Sequence, residues 1–374
     1  MARILLLPDS FKGTMTSLEV ASVMREAIEA VHPDWTVSSY AAADGGEGTV
    51  EAFLAACGGR RLTSTVVGPW GRPVEATWAM LDSSTAVLET ASAAGLGLVD
   101  GHPDPSLTTT YGLGQLVVKA LDEGARRILI GLGGSATNDA GCGLACACGI
   151  RFLDDGGEAF TPVGAALDRI ASIDYSHLDP RLEGVEVVAI CDVSNPFYGP
   201  QGAARIYAPQ KGADDAMVAL LDRNMMTLAS KLDVDVQSMS GSGAAGGLGG
   251  GLVAFLGARL RGGSDAFLDA IGFEEKAAKA DLIITGEGRI DGQSLSGKLV
   301  VGIARRAKRL GVPVIALVGD ALECAKVYEE GVCAVFSTNR RAVPFSEARL
   351  SAKADLRATM DDLLRFAAIT RRLE

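Results

Sequence analysis

The stretch RILLLPDSFKGTMTSLEVASVMREAIEAV, residues 3–31, sets the grammar of the chain. Its apolar start, residues 3–7, reads as a short buried strand. A polar loop at 9–16 then leads to a helix with Leu18, Ala21, Met24, Ile28 and Val31 on one face. Thr16 and Glu19 have the spacing of a capping box, which fixes where that helix starts. A second strand at 36–41 runs through AAADGGEG into another helix, where Val50, Phe53, Leu54 and Cys57 recur at helical spacing and Gly58 ends the run.

The same order returns near the C-terminal end. Residues 281–285, 314–318 and 334–337 read as strands separated by helical segments, and the helix at 298–310 carries cations in its last turn with Gly311 and Pro313 beyond. Two strands from the start and three from the end make a doubly wound, five-stranded parallel sheet with helices on both faces, an α/β domain. The middle is then an insertion. This reading assigns 1–63 plus 275–374 to the sheet domain and 64–274 to a mixed α/β domain inserted into it. Two domains also suit a chain of 374 residues, beyond the size at which one hydrophobic core stops growing. Inside the insertion, alternating segments at 63–67, 74–81 and 86–89 around the turn GPWGRP predict antiparallel pairing. A helix at 113–121 and the strand RRILIGL follow.

Composition excludes several classes of function. A net charge of −11 repels phosphate backbones and anionic membranes, and no basic tract offsets it, so neither nucleic acid nor membrane is an expected partner. The apolar start is broken by Pro8, too short for a signal peptide, and a cytoplasmic enzyme is expected. The cysteine trio Cys142, Cys146 and Cys148 lacks a CxxC spacing or a nearby histidine, which points to small buried thiols of a reducing compartment rather than a metal site. A homo-oligomer is compatible with everything in the sequence.

Candidate chemistry sits in loops after strands, where open parallel sheets gather ligands. PDSFKG places Ser10 and Lys12 after the first strand, with Lys12 either an anion clamp or a solvated loop lysine. ADGGEG offers Asp44 and Glu47 among glycines that let a backbone approach a ligand, although a helix-entry turn explains the glycines as well. LGGSATNDAGCG fits G-x-G-x-x-A at Gly131, Gly133 and Ala136, with Asp154 about twenty residues on, the case for a nicotinamide-dependent hydroxy-acid dehydrogenase. Asn138 and Asp139 in that loop suit substrate binding equally.

ICDVSNPFYG puts Asp192 directly after a strand, able to take a proton from a substrate hydroxyl or simply to cap its own turn. GPQGAARIYAPQKG carries Arg205 and Lys211, suited to phosphate or carboxylate oxygens or to an ordinary surface. GSGAAGGLGGGL, residues 241–252, runs into an apolar helix, VAFLGARL. Its glycines, among them Gly243, Gly246, Gly247 and Gly249, either cradle phosphate or permit close packing. TGEGRIDGQSLSGKL collects Glu287, Arg289, Asp291 and Lys298 in one loop. Residues 292–298 fit GxxxxGK, but Leu299 stands where a P-loop needs Ser or Thr, so a true P-loop is rejected.

Taken in order, PDSFKG, ADGGEG, LTTTYG (107–112), GGSATNDAG, CDVSNP, PQKGA and TGEGRIDGQSLSGK resemble the bacterial-type glycerate kinases that form 2-phosphoglycerate, and the resemblance spans almost the whole chain. It implies ATP, Mg²⁺ and D-glycerate, a flavodoxin-like domain carrying a large inserted α/β domain, and a site in the cleft between them. It further implies Asp192, Lys12 and Asp291 as catalytic residues. Asp192 is preferred as base because it resembles the Asp-Val element of a second class of glycerate kinases. Substrate contacts are expected from Ser10, Asp44, Asn138, Asp139, Arg205, Lys211 and Arg289. Nucleotide contacts are expected from the 243–249 glycines and Lys298, and metal contacts from Glu287 and Asp291. Ser294 stands where that family usually has Thr, which leaves a hydroxyl in place. A non-catalytic sugar-acid sensor is the third reading, without any output module recognisable in the chain.

Overall fold

The computed structural model describes residues 1–41, 48–99, 101, 103–290, 299–322 and 324–370. The chain opens with β1 (Arg3–Pro8), α1 (Ser17–Val31) and β2 (Thr36–Ser39). It continues with α2 (Thr49–Cys57), β3 (Arg60–Val67), β4 (Pro73–Met80), β5 (Thr85–Glu89), α3 (Thr90–Ala94), α4 (Tyr111–Asp122) and β6 (Arg127–Gly131). Then come α5 (Cys142–Ala147), β7 (Arg151–Leu153), β8 (Ala159–Phe160), β9 (Ser172–Asp174), β10 (Glu186–Ile190), α6 (Ala203–Tyr207), α7 (Asp215–Ala229), α8 (Ala244–Leu256) and β11 (Arg259–Arg261). The last part holds α9 (Gly263–Ala270), α10 (Phe273–Ala277), β12 (Leu282–Ile290), α11 (Leu299–Leu310), β13 (Val314–Ala321), α12 (Cys324–Glu329), β14 (Val332–Ser337) and α13 (Phe345–Thr370).

Two compact units result: residues 1–43 with 267–374, and residues 44–266. In the first, a five-stranded sheet has the order β14-β13-β12-β1-β2 and every neighbouring pair is parallel. Counted along this unit the order is 2-1-3-4-5, the flavodoxin arrangement, with its switch point between β1 and β12. Both faces are covered. Val20, Val23, Met24 and Ile28 of α1 and Leu356, Met360 and Leu364 of α13 pack with Ile4, Leu6 and Ile284 on one face, while Val300 and Ala304 of α11 and Val327 of α12 pack with Ala316 and Val318 on the other. The start of α1 is the expected capping box, with Glu19 N donating to Thr16 Oγ1 and Thr16 N to Glu19 Oε2.

The second unit is built on a six-stranded sheet of order β11-β10-β6-β5-β4-β3. β3, β4 and β5 pair antiparallel as their alternation requires, whereas β5, β6, β10 and β11 run parallel. Its core joins Leu88, Ile128 and Ile130 of the strands to Leu113, Leu116 and Val117 of α4 and Leu248 and Leu252 of α8. A second core gathers Phe152, Leu167, Phe197, Leu221, Met225 and Phe255 beside the small antiparallel sheet β8-β7-β9.

Three expectations are corrected by the chain's local geometry. The strand expected to stop at Thr285 continues to Ile290, in parallel register with β13 as far as the pair Ile290 and Ala321. Gly286 makes this possible, because a Cβ there would stand 2.4 Å from Leu317 O. The helix expected through VAFLGARL ends at Leu256, since Gly257 turns left-handed at φ +63° and releases 259–261 as a strand. Finally, the first unit boundary lies at 43/44, where the sequence reading put 63/64. The cause is α2, whose N-terminal amides at Gly48 and Val50 donate to Glu89 at the end of β5, fixing that helix in the second unit.

Candidate functional site

Within the first unit, the switch point is lined by the loop after β1 and by the second half of β12. Thr285 Oγ1 donates to Leu7 O at 2.7 Å and Asp9 N to Gly286 O at 2.8 Å, which ties the loop to the end of β12. Asp9 Oδ1 accepts from Ser10 N. Beyond it Phe11 N donates to Met15 O, and Gly13 turns at φ +80°, so Lys12 is lifted into solvent at the tip of a tight turn. The backbone opposite comes close: a Cβ on Gly288 would stand 3.3 Å from Lys12 N. Ser10, Lys12, Glu287 and Arg289 thus gather at one end of this sheet. Glu287 is buried at 5 % exposure, while Arg289 is exposed with Nε 3.5 Å from Asp320 Oδ2. Glu287 and Arg289 therefore belong to the strand rather than to the loop expected for them.

In the second unit, β5, β6, β10 and β11 present their carboxyl ends together because they run parallel. After β10 comes Asp192, exposed, with Oδ1 accepting from Gly263 N at 2.7 Å just beyond β11. After β6 comes the 132–141 segment, which stays non-helical until α5 begins at Cys142. That spacing does not match a dinucleotide turn, in which the helix opens on the third position of the fingerprint. Asp154 is likewise occupied elsewhere: its Oδ1 accepts from Gly156 N and Glu158 N in the hairpin between β7 and β8. Both halves of the dehydrogenase argument fail on this geometry.

The 132–141 segment holds a buried polar knot instead. Asp139, fully buried, accepts from Thr110 N and Thr110 Oγ1 at 2.8 Å, Gly141 N at 3.1 Å and Gly143 N at 3.2 Å. Burial raises the pKa of this carboxyl, and the hydrogen bonds pull against that shift. Three of the four donors are backbone N–H groups that cannot accept, so the carboxylate form fits the site. Gly143 has to be glycine, since a Cβ there would meet Thr109 Oγ1 at 2.2 Å. Lys211 is 2 % exposed and donates from Nζ to Ser135 Oγ at 2.8 Å and Thr137 O at 2.7 Å. Its desolvation lowers the ammonium pKa to about 7, against the attraction of Asp139. Asn138 is buried, with Nδ2 3.2 Å from Met225 Sδ.

Other expected residues are differently employed. Arg205 Nε donates to Asp222 Oδ2 at 3.1 Å, while Asp222 Oδ1 accepts from Gly199 N, so this arginine braces α6 against α7. The glycines at 243–251 are accounted for by close packing. A Cβ would meet Pro196 O at 2.2 Å from Gly243, Thr137 O at 2.0 Å from Gly246, Met225 Cε at 2.5 Å from Gly247 and Gly241 O at 2.6 Å from Gly249. The amides of Gly243 and Gly247 already donate to Asn195 O and Gly243 O. Asp44, Glu47, Asp291 and Lys298 lie outside the described residues. No group of three His, Cys, Asp or Glu side chains able to hold a metal occurs among the described residues.

Two participants were missed in the sequence. Glu89, buried at 7 % exposure, holds the N-terminus of α2 immediately after the ADGGEG loop. Its signal was a carboxylate closing the apolar strand TAVLE. Thr110 is the other: inside the motif LTTTYG nothing sets it apart, yet its hydroxyl both donates to Asp139 and accepts from Leu144 N.

Comparison with known proteins agrees with this picture along the whole chain. A family model described as the glycerate kinase family matches residues 4–368. A Bacillus subtilis (strain 168) protein named glycerate kinase is 43% identical over 368 residues, covering 96% of each chain. An Escherichia coli K12 protein named glycerate 2-kinase is 43% identical over 342 residues, 90% of each chain. Among solved structures, "Crystal structure of putative glycerate kinase 2 from Salmonella typhimurium LT2" superposes with a TM-score of 0.85 at 40% identity and 99% coverage of both chains. Sequence order, sheet topology and these relatives lead to one conclusion: the chain belongs to the glycerate kinase family.

Proposed function

We propose that this chain transfers the terminal phosphoryl group of ATP to D-glycerate and releases ADP and 2-phosphoglycerate. The observation that carries the reading is its likeness, over nine-tenths of both chains, to a protein named glycerate 2-kinase. In this reaction a positioned carboxylate takes the proton of the attacking hydroxyl, and fixed cations stabilise charge on the moving phosphoryl group. Asp192 suits the first task. It is exposed at the carboxyl end of β10 and oriented through one oxygen by Gly263 N. Lys12, held out by the turn after β1, suits the second. Arg205 is left to structure by its pairing with Asp222, and Asn138, Asp139 and Lys211 shape the segment after β6 from beneath.

Mg²⁺ fits the donor set, because it binds through one or two carboxylates together with substrate phosphates and needs no three-carboxylate cage from the protein. Glu287, a buried carboxylate at the switch point, and Asp291 would hold it, and the ion would neutralise phosphate charge. We assign no nucleotide contact to the amides of Gly243 and Gly247, which are already spent.

The decisive experiment couples ADP release to a reporter with D-glycerate, L-glycerate or no acceptor. D-glycerate alone should drive turnover, and one ³¹P NMR spectrum of the product should show the phosphate on O2. ADP release independent of glycerate, or a product phosphorylated on O3, would overturn the respective part of the proposal. No helix among the described residues is long and apolar enough to cross a membrane.

A further inference from the structure

Lys211 lies where an ordinary anion-binding lysine would not. It closes a short 3-10 turn, Pro209–Lys211, and the next residue, Gly212, has φ +94° and lies so close to Pro103 O that a Cβ would be 2.0 Å away. The turn is therefore locked, and the lysine stem has one direction to go: inward, to Ser135 Oγ and Thr137 O. An ammonium has three N–H groups, and these are its two acceptors among the described residues. Alongside, Thr137 Oγ1 and Asn138 Oδ1 are fully buried and have no hydrogen-bond partner among the described residues. Native interiors leave few such atoms without a reason. The short arc 135–138 is thus underpaired on three counts, and it continues directly into Gly133 and Gly134, the half-buried and exposed end of the same segment.

The charges around Lys211 can be named element by element. Asp139, from the segment after β6, is the group whose field acts on the ammonium. It already accepts four hydrogen bonds, from Thr110, Gly141 and Gly143. On α6, Arg205 is paired with Asp222 of α7. Asp104 accepts from Ser106 N and Oγ, and Asp214 accepts from Met217 N at the start of α7. No carboxylate lies within ion-pair distance of Lys211 Nζ among the described residues. A buried cation with no carboxylate in contact, and only the more distant field of Asp139, gains from an anion that approaches it.

We propose that Lys211 is a positioning residue that couples substrate binding to protonation: an anionic group of the substrate, the glycerate carboxylate, docks at the exposed end of the 133–138 segment and draws a proton onto Lys211, which holds Ser135 and Thr137 in place beneath it. This deepens the glycerate kinase reading and rests on it. Burial has brought this ammonium's pKa to about 7, so the docked anion finds it largely neutral above that pH and must raise its pKa to gain the charge. By linkage, the affinity for D-glycerate should then weaken by about tenfold per pH unit above neutrality, until the pKa in the complex is reached.

The test is the KM for D-glycerate at saturating MgATP from pH 7 to 9, measured for the full chain and for Lys211→Arg and Lys211→Met. Calorimetry of D-glycerate binding at pH 7.5 in two buffers of different ionisation enthalpy accompanies it. The wild type should show a rising KM with a far smaller change in kcat, and a net proton uptake on binding. Lys211→Arg, charged throughout, should have a flat KM and take up no proton, and Lys211→Met should be flat at a raised KM. Normal glycerate-dependent turnover with the same pH profile in wild type and Lys211→Arg would overturn the proposal. Absence of glycerate-dependent ADP release from the wild type at any pH would instead remove the function on which it rests.

Discussion

Asp192 shows how little of a catalytic assignment depends on residue type alone. An aspartate after a strand usually caps its own turn, and here it does accept a backbone N–H, but from Gly263, 71 positions away. The bond joins the ends of β10 and β11 and holds the carboxylate at the edge where parallel strands gather ligands. Asp192→Asn keeps an oxygen for Gly263 N and removes the carboxylate that would take the proton. We expect kcat to fall by roughly 10² to 10⁴ with a modest change in KM, because phosphoryl transfer relies chiefly on positioning and charge. Steady-state kinetics on the purified variant decides it, and turnover close to wild type would remove Asp192 from the base role. The same scale shows what the sequence could not reveal. Lys211 reads as one more cation in a glycine-rich loop, and only the positions of Ser135 and Thr137, more than seventy residues earlier, make it a buried one. Arg205 reads alike and ends in a surface pair with Asp222 for the same reason, a partner on another helix.

At the level of elements, the periodic segments were legible and the glycine-rich ones were not. The α1 capping box, the antiparallel β3–β4–β5 ribbon and the C-terminal strands follow from spacing that local sequence carries in full. β12 outran its expected end because Gly286 and Gly288 look like breakers, whereas they are what lets neighbouring backbone come close. The stretch 241–252 held two readings open, phosphate cradle or packing. Within α8, Ala245, Gly246 and Gly247 take positive φ, and the following glycines press against residues 140–141, 197 and 241–242. Packing makes a sharp forecast. Gly251→Ala would put a Cβ 1.9 Å from Ala140 O, backbone that cannot swing aside, and should destabilise the fold by about 3 kcal/mol. Gly257→Ala meets nothing within 4 Å and suffers only from its left-handed φ of +63°, so it should cost about 1–2 kcal/mol. Urea denaturation of the two variants orders them. Equal stabilities, with a raised KM for ATP in Gly251→Ala, would instead favour the cradle.

For the whole molecule, the acidic balance of −11 and the inserted architecture have to be reconciled with a reaction between two anions. Cations are spent sparingly: Lys12 is exposed at one sheet end, and Lys211 is buried near another. The insertion itself is substantial. Among the described residues of 44–266, one hydrophobic core forms around Leu113, Ile128 and Leu248 and another around Phe152, Phe197 and Leu221. The same residues also contain carboxylates that cap two of their helices, Glu89 for α2 and Asp214 for α7. A segment with hydrophobic cores of its own meets the main physical criterion for folding alone. Expressed by itself, 44–266 should be soluble and should unfold in one cooperative transition, with tryptophan fluorescence from the buried Trp78 as the reporter. The complementary segments cannot be cut out as one continuous piece, so their five-stranded sheet depends on a linker joining residue 43 to residue 267. A gradual, non-cooperative melt of the 44–266 fragment would mean that its stability is borrowed from the rest of the chain, despite these two cores.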